Sequence, residues 1–170
     1  MNGVLSRNDI RRLIQQNPSL VVGYIDLEQQ LQPNGFDITL RDVAMLENMG
    51  QIGIDNARRQ LPDLVPLIFD NQGFMELIPG NYIITYNEIV HIPTHLMALA
   101  RPRSSLLRCG VSIGTAVWDA GYSGRSQSLM LVYNSRGFRV QQNARVAQLV
   151  FLEMTGASGG YKGIYQGENI

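Results

Sequence analysis

Between residues 64 and 151 the chain is a succession of short apolar runs, each stopped by turn residues after a few positions. Residues 64–70, 74–78 and 82–86 are separated by Asn71-Gln72-Gly73 and Pro79-Gly80-Asn81. Residues 88–92, 96–100, 128–133, 138–140 and 146–151 continue the series. Runs this short, rich in Val, Ile, Tyr and Phe and bounded by Gly, Pro and Asn, have the length and chemistry of strands. So many in succession imply an all-β fold, a distorted barrel or jelly-roll-like sheet that closes to protect its edges. The 170 residues are one domain's worth of chain. They are expected to divide into a β domain over 1–155 and a flexible Gly-rich C-terminal lid over 156–170.

Helices are expected at few places. Ser6-Arg7-Asn8-Asp9 has the form of a capping box with Asp in place of Glu, and Ile10, Leu13 and Ile14 then share one helical face up to Asn17-Pro18. Residues 20–27 read as a strand, and a polar turn at 31–36 leads into an alternating strand through Leu40. Residues 42–49 have the composition of a helix inside a poorly readable surface region over 41–63.

The stretch 101–124, RPRSSLLRCGVSIGTAVWDAGYSG, holds most of the candidate chemistry. Its first part, 103–110, has the length of one or two helical turns, with Ser104 or Ser105 placed to cap the start and Gly110 to supply the left-handed stop. A helix opening on Arg103-Ser104-Ser105 offers free N–H groups, two hydroxyls and a guanidinium fork to one phosphate. Residues 111–118 read as a strand, which runs into Asp119-Ala120-Gly121-Tyr122-Ser123-Gly124. A phosphate cradle followed closely by a lone carboxylate suits phosphoryl chemistry, because the carboxylate can orient or deprotonate a water beside a polarised phosphorus. Each piece alone is also a common helix start or turn.

In this order and at this spacing the two pieces resemble the homotrimeric dUTPase and dCTP deaminase superfamily. There Arg-Ser-Ser/Gly binds phosphate, and Gly/Ala-Val-Ile-Asp-x-x-Tyr-x-Gly is the base-binding hairpin. Here the hairpin motif reads from Ala116 to Gly124, with Trp118 in the usual Ile position. Leu31-Gln32-Pro33 with Asp37-Ile38 resembles another family motif, which implies that Asp37 helps hold the waters of a bound metal; a solvated Asp at a strand start would have the same local sequence. Arg145-Val146-Ala147-Gln148-Leu149 resembles the motif in which the Gln, here Gln148, contacts the phosphates. In the family a Gly-rich C-terminal arm closes the site, often on a neighbouring subunit. Here Tyr161, Lys162, Tyr165 and Gln166 are the lid candidates, in a tail closer to the deaminase branch than to the usual dUTPase form.

The resemblance implies a dUTPase-like (β-clip) fold and hydrolysis of dUTP to dUMP and diphosphate. Asp119 would be the catalytic carboxylate. Arg103, Ser104, Ser105 and Gln148 would bind phosphate, with Mg²⁺ as cofactor. Thr115, Ala116 and Val117 would read the uracil edge, and Tyr122 would pack against the sugar. The deaminases of the family need a Glu on the strand after the hairpin. No Asp or Glu lies between Ala120 and Leu152, and the apolar Leu129 to Leu131 stand where it would fall. A dCTP deaminase using a displaced acid such as Glu153, and a non-catalytic nucleotide-binding module, remain alternatives. Lys plus Arg and Asp plus Glu balance at 14 each, which argues against polymeric nucleic acid or a membrane surface as partner. Cys109, the sole cysteine, rules out a disulfide within the chain and the zinc deaminase signature. His91 and His95 have helical metal-pair spacing, but Pro93 lies between them in β-like sequence. Arg7, Asp9, Arg11 and Arg12 interrupt any signal-peptide core, so a cytoplasmic protein is the expectation, and the resemblance implies a homotrimer.

Overall fold

The computed structural model describes residues 3–170. Strands dominate, as the turn spacing predicts: β1 Val21–Val22, β2 Leu31–Gln32, β3 Gly35–Leu46, β4 Leu64–Pro66, β5 Phe74–Leu77, β6 Gly80–Tyr86, β7 Ile89–His91, β8 Leu96–Pro102, β9 Val111–Gly114, β10 Ser123–Gly124, β11 Gln127–Val132, β12 Phe138–Gln141 and β13 Arg145–Glu153. Helices α1 Arg7–Ile14, α2 Leu27–Gln30 and α3 Ser104–Arg108 interrupt them.

The main sheet runs β8-β13-β3-β6-β11-β9 and curls into a nearly closed barrel, with β2 and β4 attached to β3. Two smaller sheets, β1-β7-β10 and β12-β5, accompany it. The twelve-residue β3 makes the closure possible. Its first half pairs with β13 and its second half with β6, with a register shift between Leu40 and Asp42 where it changes partner. Phe36, Ile38 and Leu40 on β3 meet Ile84, Tyr86, Met130, Leu149 and Phe151 in the buried core.

Three local expectations need correction. Residues 42–49 are not helical: β3 extends to Leu46, because pairing with β6 and β4 outweighs the helix propensity of Ala44-Met45-Leu46-Glu47. The strand expected over 20–27 is only Val21–Val22. Gly23 turns the chain at φ 74°, and Asp26 then caps α2 by accepting from the backbone N–H groups of Glu28 and Gln29. The strand expected over 111–118 leaves its ladder after Gly114, and only Trp118 returns, to a single bridge with Ala98. The capping box of α1 forms as expected, with the Ser6 side chain accepting from Asp9 N–H and Ile10 and Ile14 buried.

Candidate functional site

The sequence-predicted residues fall into two groups. The first gathers around Asp37 on β3. β13 runs antiparallel between β3 and β8, so Gln148 sits opposite Asp37 on one side and Arg101 on the other. Asp37 is buried, and its Oδ2 accepts ion pairs from Arg103 Nε at 3.1 Å and from Arg145 Nη1 at 3.4 Å. Burial pushes the Asp37 carboxyl above its ordinary value, and Arg103 and then Arg145 offset part of that rise. Gly35 is required here: a Cβ on it would lie 2.5 Å from Gln148 Nε2 and 2.4 Å from the Leu149 carbonyl. Arg103 is the N-cap of α3 and makes no side-chain cap bond; neither Ser104 nor Ser105 caps, contrary to expectation. Both serines are exposed in the first turn. Gly110 supplies the left-handed stop at φ 74°.

A buried network fixes Asp37 from behind. Glu88 accepts from Thr39 N–H at 2.9 Å, Thr39 Oγ1 at 2.7 Å and Gln30 Nε2 at 2.7 Å. Gln30 Nε2 also donates to the Asp37 carbonyl at 2.8 Å. Desolvation raises the pKa of Glu88, against the pull of the Thr39 bonds. Sequence reading left Arg145 without a role of its own and missed Gln30 and Glu88. Arg145 stood in plain view within a quoted motif; the other two have no local signal.

The second group forms a cleft of about 250 Å³. Ala116, Val117, Trp118, Asp119 and Tyr122 line one side, and Tyr161, Tyr165 and Glu168 of the tail line the other. Asp119, Ala120, Gly121 and Tyr122 form a tight turn closed by Tyr122 N–H to the Asp119 carbonyl at 3.0 Å, and Gly121 takes φ 83° at its third position. That turn leaves Asp119 exposed, and its carboxylate has no hydrogen-bond partner among the described residues. Thr115, Ala116 and Val117 lie between β9 and the Trp118 bridge, and their backbone groups have no backbone partner among the described residues. They are free to pair with the edge of a planar ring.

Beneath the cleft, Trp118 Nε1 donates to Ser126 Oγ at 2.6 Å, and Tyr122 Oη lies 3.1 Å from the same oxygen. Tyr122 Oη also donates to Glu168 Oε1 at 2.7 Å. Burial raises the pKa of Glu168, with the Tyr122 bond pulling the other way, and burial likewise raises that of Tyr122. Glu168 places a second carboxylate in the cleft, one that a search confined to residues 120–152 could not find. Of the lid candidates, Tyr161 and Tyr165 line the cleft, and Gln166 bonds to the hairpin backbone at Ser123 and Gly121. Lys162 is exposed and is not among the lining residues.

The two groups do not line one cavity within a single chain: Arg103, Ser104, Ser105 and Gln148 are absent from the hairpin cleft. Glu153 lies elsewhere again, in a cleft with Asp9, Arg12 and His95 beside the N-terminal helix. His91 is engaged by Ser123, with Nδ1 to Oγ at 2.7 Å. Among the described residues no group of three or more His, Cys, Asp or Glu could hold a metal. The donor set therefore fits a metal brought largely by phosphate oxygens, with at most one or two carboxylates, rather than a protein cage.

The nearly closed barrel thus carries an arginine cluster around Asp37 and, apart from it, an aromatic-floored cleft with an exposed carboxylate. The chain belongs to the dCTP deaminase-like family, whose model matches residues 4–154. It is 48% identical, over 98% of both chains, to a protein of Methanosarcina acetivorans named probable deoxyuridine 5'-triphosphate nucleotidohydrolase. A protein of Archaeoglobus fulgidus with the same name is 48% identical over 98% of both chains. Among solved structures, the 2'-deoxycytidine 5'-triphosphate deaminase of Agrobacterium tumefaciens superposes with a TM-score of 0.68 at 22% identity, covering 90% of this chain and 49% of that one. That likeness supports the fold; the chain spans about half the deaminase's length.

Proposed function

We propose that this protein is a dUTP diphosphatase, hydrolysing dUTP to dUMP and diphosphate. The observation that carries the reading is the pairing of a free carboxylate, Asp119, with unpaired ring-edge groups at Thr115, Ala116 and Val117, in a chain 48% identical over nearly its full length to proteins named for that activity. Asp119 orients or deprotonates the water that attacks the α-phosphorus. Thr115, Ala116 and Val117 pair with the uracil edge, and the ring of Tyr122 packs against the deoxyribose. Arg103, Ser104, Ser105 and Gln148 bind the phosphates, and Arg103 is held in place by Asp37.

A divalent metal, Mg²⁺, would neutralise charge on the phosphate oxygens when bound. Asp37, which both arginines pair with through Oδ2, would hold a water of that metal. The separation of cradle and cleft within one chain supports a homotrimer in which one copy's cradle completes another copy's cleft. Tyr161, Tyr165 and Gln166, with Lys162 at the rim, form the lid over the nucleoside.

The deaminase alternative gains no support from the strand after the hairpin. On β11, Leu129, Met130 and Leu131 pair with β9, and no carboxyl group stands among them. Diphosphate release measured across dUTP and the four canonical deoxynucleoside triphosphates tests the reading. Release from dUTP above all others is expected, and release from none of them would remove it.

A further inference from the structure

The tail is seated on its own hairpin. Tyr161 N–H donates to the Ala120 carbonyl at 2.8 Å, and Gly167 N–H to the Ser123 carbonyl at 2.8 Å. Arg125 N–H donates to the Glu168 carbonyl at 2.9 Å, Arg125 Nε to the Asn169 carbonyl at 3.0 Å, and Asn169 Nδ2 back to the Arg125 carbonyl at 2.9 Å. Gln166 brackets the hairpin, accepting from Ser123 N–H and donating to the Gly121 carbonyl, each at 3.1 Å. Among the described side-chain hydrogen bonds that join tail to hairpin, that of Glu168 is the one that reaches Tyr122 Oη at the cleft floor.

Two glycines show that the hairpin is shaped for this seat. A Cβ on Gly121 would lie 2.7 Å from Gly160 Cα and 2.9 Å from Tyr161 N. A Cβ on Gly124 would lie 2.5 Å from Tyr122 Oη and 3.2 Å from Glu168 Cγ. The second glycine leaves room for the tyrosine–glutamate contact itself. The Tyr161 ring adds an edge contact to Tyr122 at a centroid distance of 5.7 Å.

We propose that Glu168 is a positioning residue for the nucleoside cleft: its carboxylate latches the tail onto the hairpin of the same chain and fixes the Tyr122 ring. A tail held in this way gives the cleft its second wall, and less of the tail's ordering is charged against binding. The inference rests on the dUTPase reading only where it speaks of substrate; the latch itself is independent of it.

Two measurements on the full-length protein test it. The first is amide hydrogen exchange over 160–169 without ligand, alongside KM and kcat for dUTP. Glu168→Ala removes the acceptor and should speed exchange of the tail by about tenfold, the size of one charge-assisted hydrogen bond. It should raise KM by a similar factor while kcat stays within about twofold. Glu168→Gln keeps an acceptor oxygen for Tyr122 and should restore most of both. Tyr122→Phe should loosen the tail equally, and Glu168→Ala added to it should loosen it no further. Unchanged exchange in Glu168→Ala, or faster exchange with unchanged KM, would overturn the proposal. A wild-type protein that protects its tail but releases no diphosphate would instead sink the dUTPase reading. The second measurement introduces Ser123→Cys with Gln166→Cys in a Cys109→Ser background. Mild oxidation should give a monomer-sized species on a denaturing gel; linked chains would show that the tail is seated on a neighbour and overturn the same-chain latch.

Discussion

Replacing Asp37 by Asn perturbs the arginine cradle at its centre. Asp37 Oδ2 holds Arg103 and Arg145 at 3.1 and 3.4 Å, and both arginine side chains are about one-third exposed, at 32% and 31%. A hydrogen bond to a charged group contributes ~1.5–3 kcal/mol, and partial exposure and the longer second contact place this pair at the low end of that range. Asn retains one oxygen that can accept from one guanidinium, and it relieves the desolvation of a buried carboxylate. The net cost is then about 1–2 kcal/mol, a fall in melting temperature of ~2–8 °C for a chain of this length. The larger effect should be functional. With one arginine released, KM for dUTP should rise about tenfold, equivalent to ~1.4 kcal/mol. Inhibition by deoxyuridine, which carries no phosphate, should not change. Urea unfolding followed by Trp118 fluorescence gives the first quantity, and steady-state kinetics with deoxyuridine as competitor gives the second. Stability lost with KM for dUTP unchanged would show that Asp37 and its arginines serve only the fold.

Three further outcomes are expected. Arg103→Ala should weaken binding of dUTP more than of deoxyuridine, as measured by inhibition constants; equal losses would assign Arg103 a structural role. Glu88→Gln places an amide donor against Gln30 or Thr39 donors and should cost about 1–3 kcal/mol in urea unfolding. Because burial raises the folded pKa of Glu88, its stabilising contribution is full below about pH 4 and is lost as pH rises through the raised value. The gap in unfolding free energy between wild type and Glu88→Gln should therefore narrow from about pH 4 upward; a gap that widens would refute the linkage. Finally, dCTP should yield no ammonia on long incubation, since Leu129, Met130 and Leu131 offer no proton-transfer group on β11, and ammonia at a rate comparable to diphosphate would turn attention to Glu168.

What could be read from the sequence was whatever is local. The alternation of β-branched runs with Gly, Pro and Asn turns located nearly every strand from β5 onward, and the Ser6–Asp9 box located α1, because these signals act over a few residues. The Arg103-Ser104-Ser105 and Asp119-to-Gly124 stretches were legible for the same reason. The helix assigned to 42–49 failed because its conformation is set by pairing with β6 and β4, strands that lie well away in sequence. Long separation also hid the site's supports. Gln30 meets Glu88 across 58 positions, and Arg145 meets Asp37 across 108. Glu168 reaches Tyr122 from a Gly-rich tail with no periodicity to suggest a contact, and Gly35 is glycine only because Gln148 crosses over it.

Diphosphate release from dUTP by wild type and by Asp119→Asn, measured side by side on folded protein, bears most directly on the account. Asn keeps the size and much of the hydrogen bonding of the side chain while removing its basicity. The account predicts steady release by wild type, and a fall of ~10²–10⁴-fold in Asp119→Asn with binding of dUTP largely retained. Near-normal release by Asp119→Asn would take Asp119 out of the mechanism and contradict the assignment of the hairpin cleft as the place of reaction.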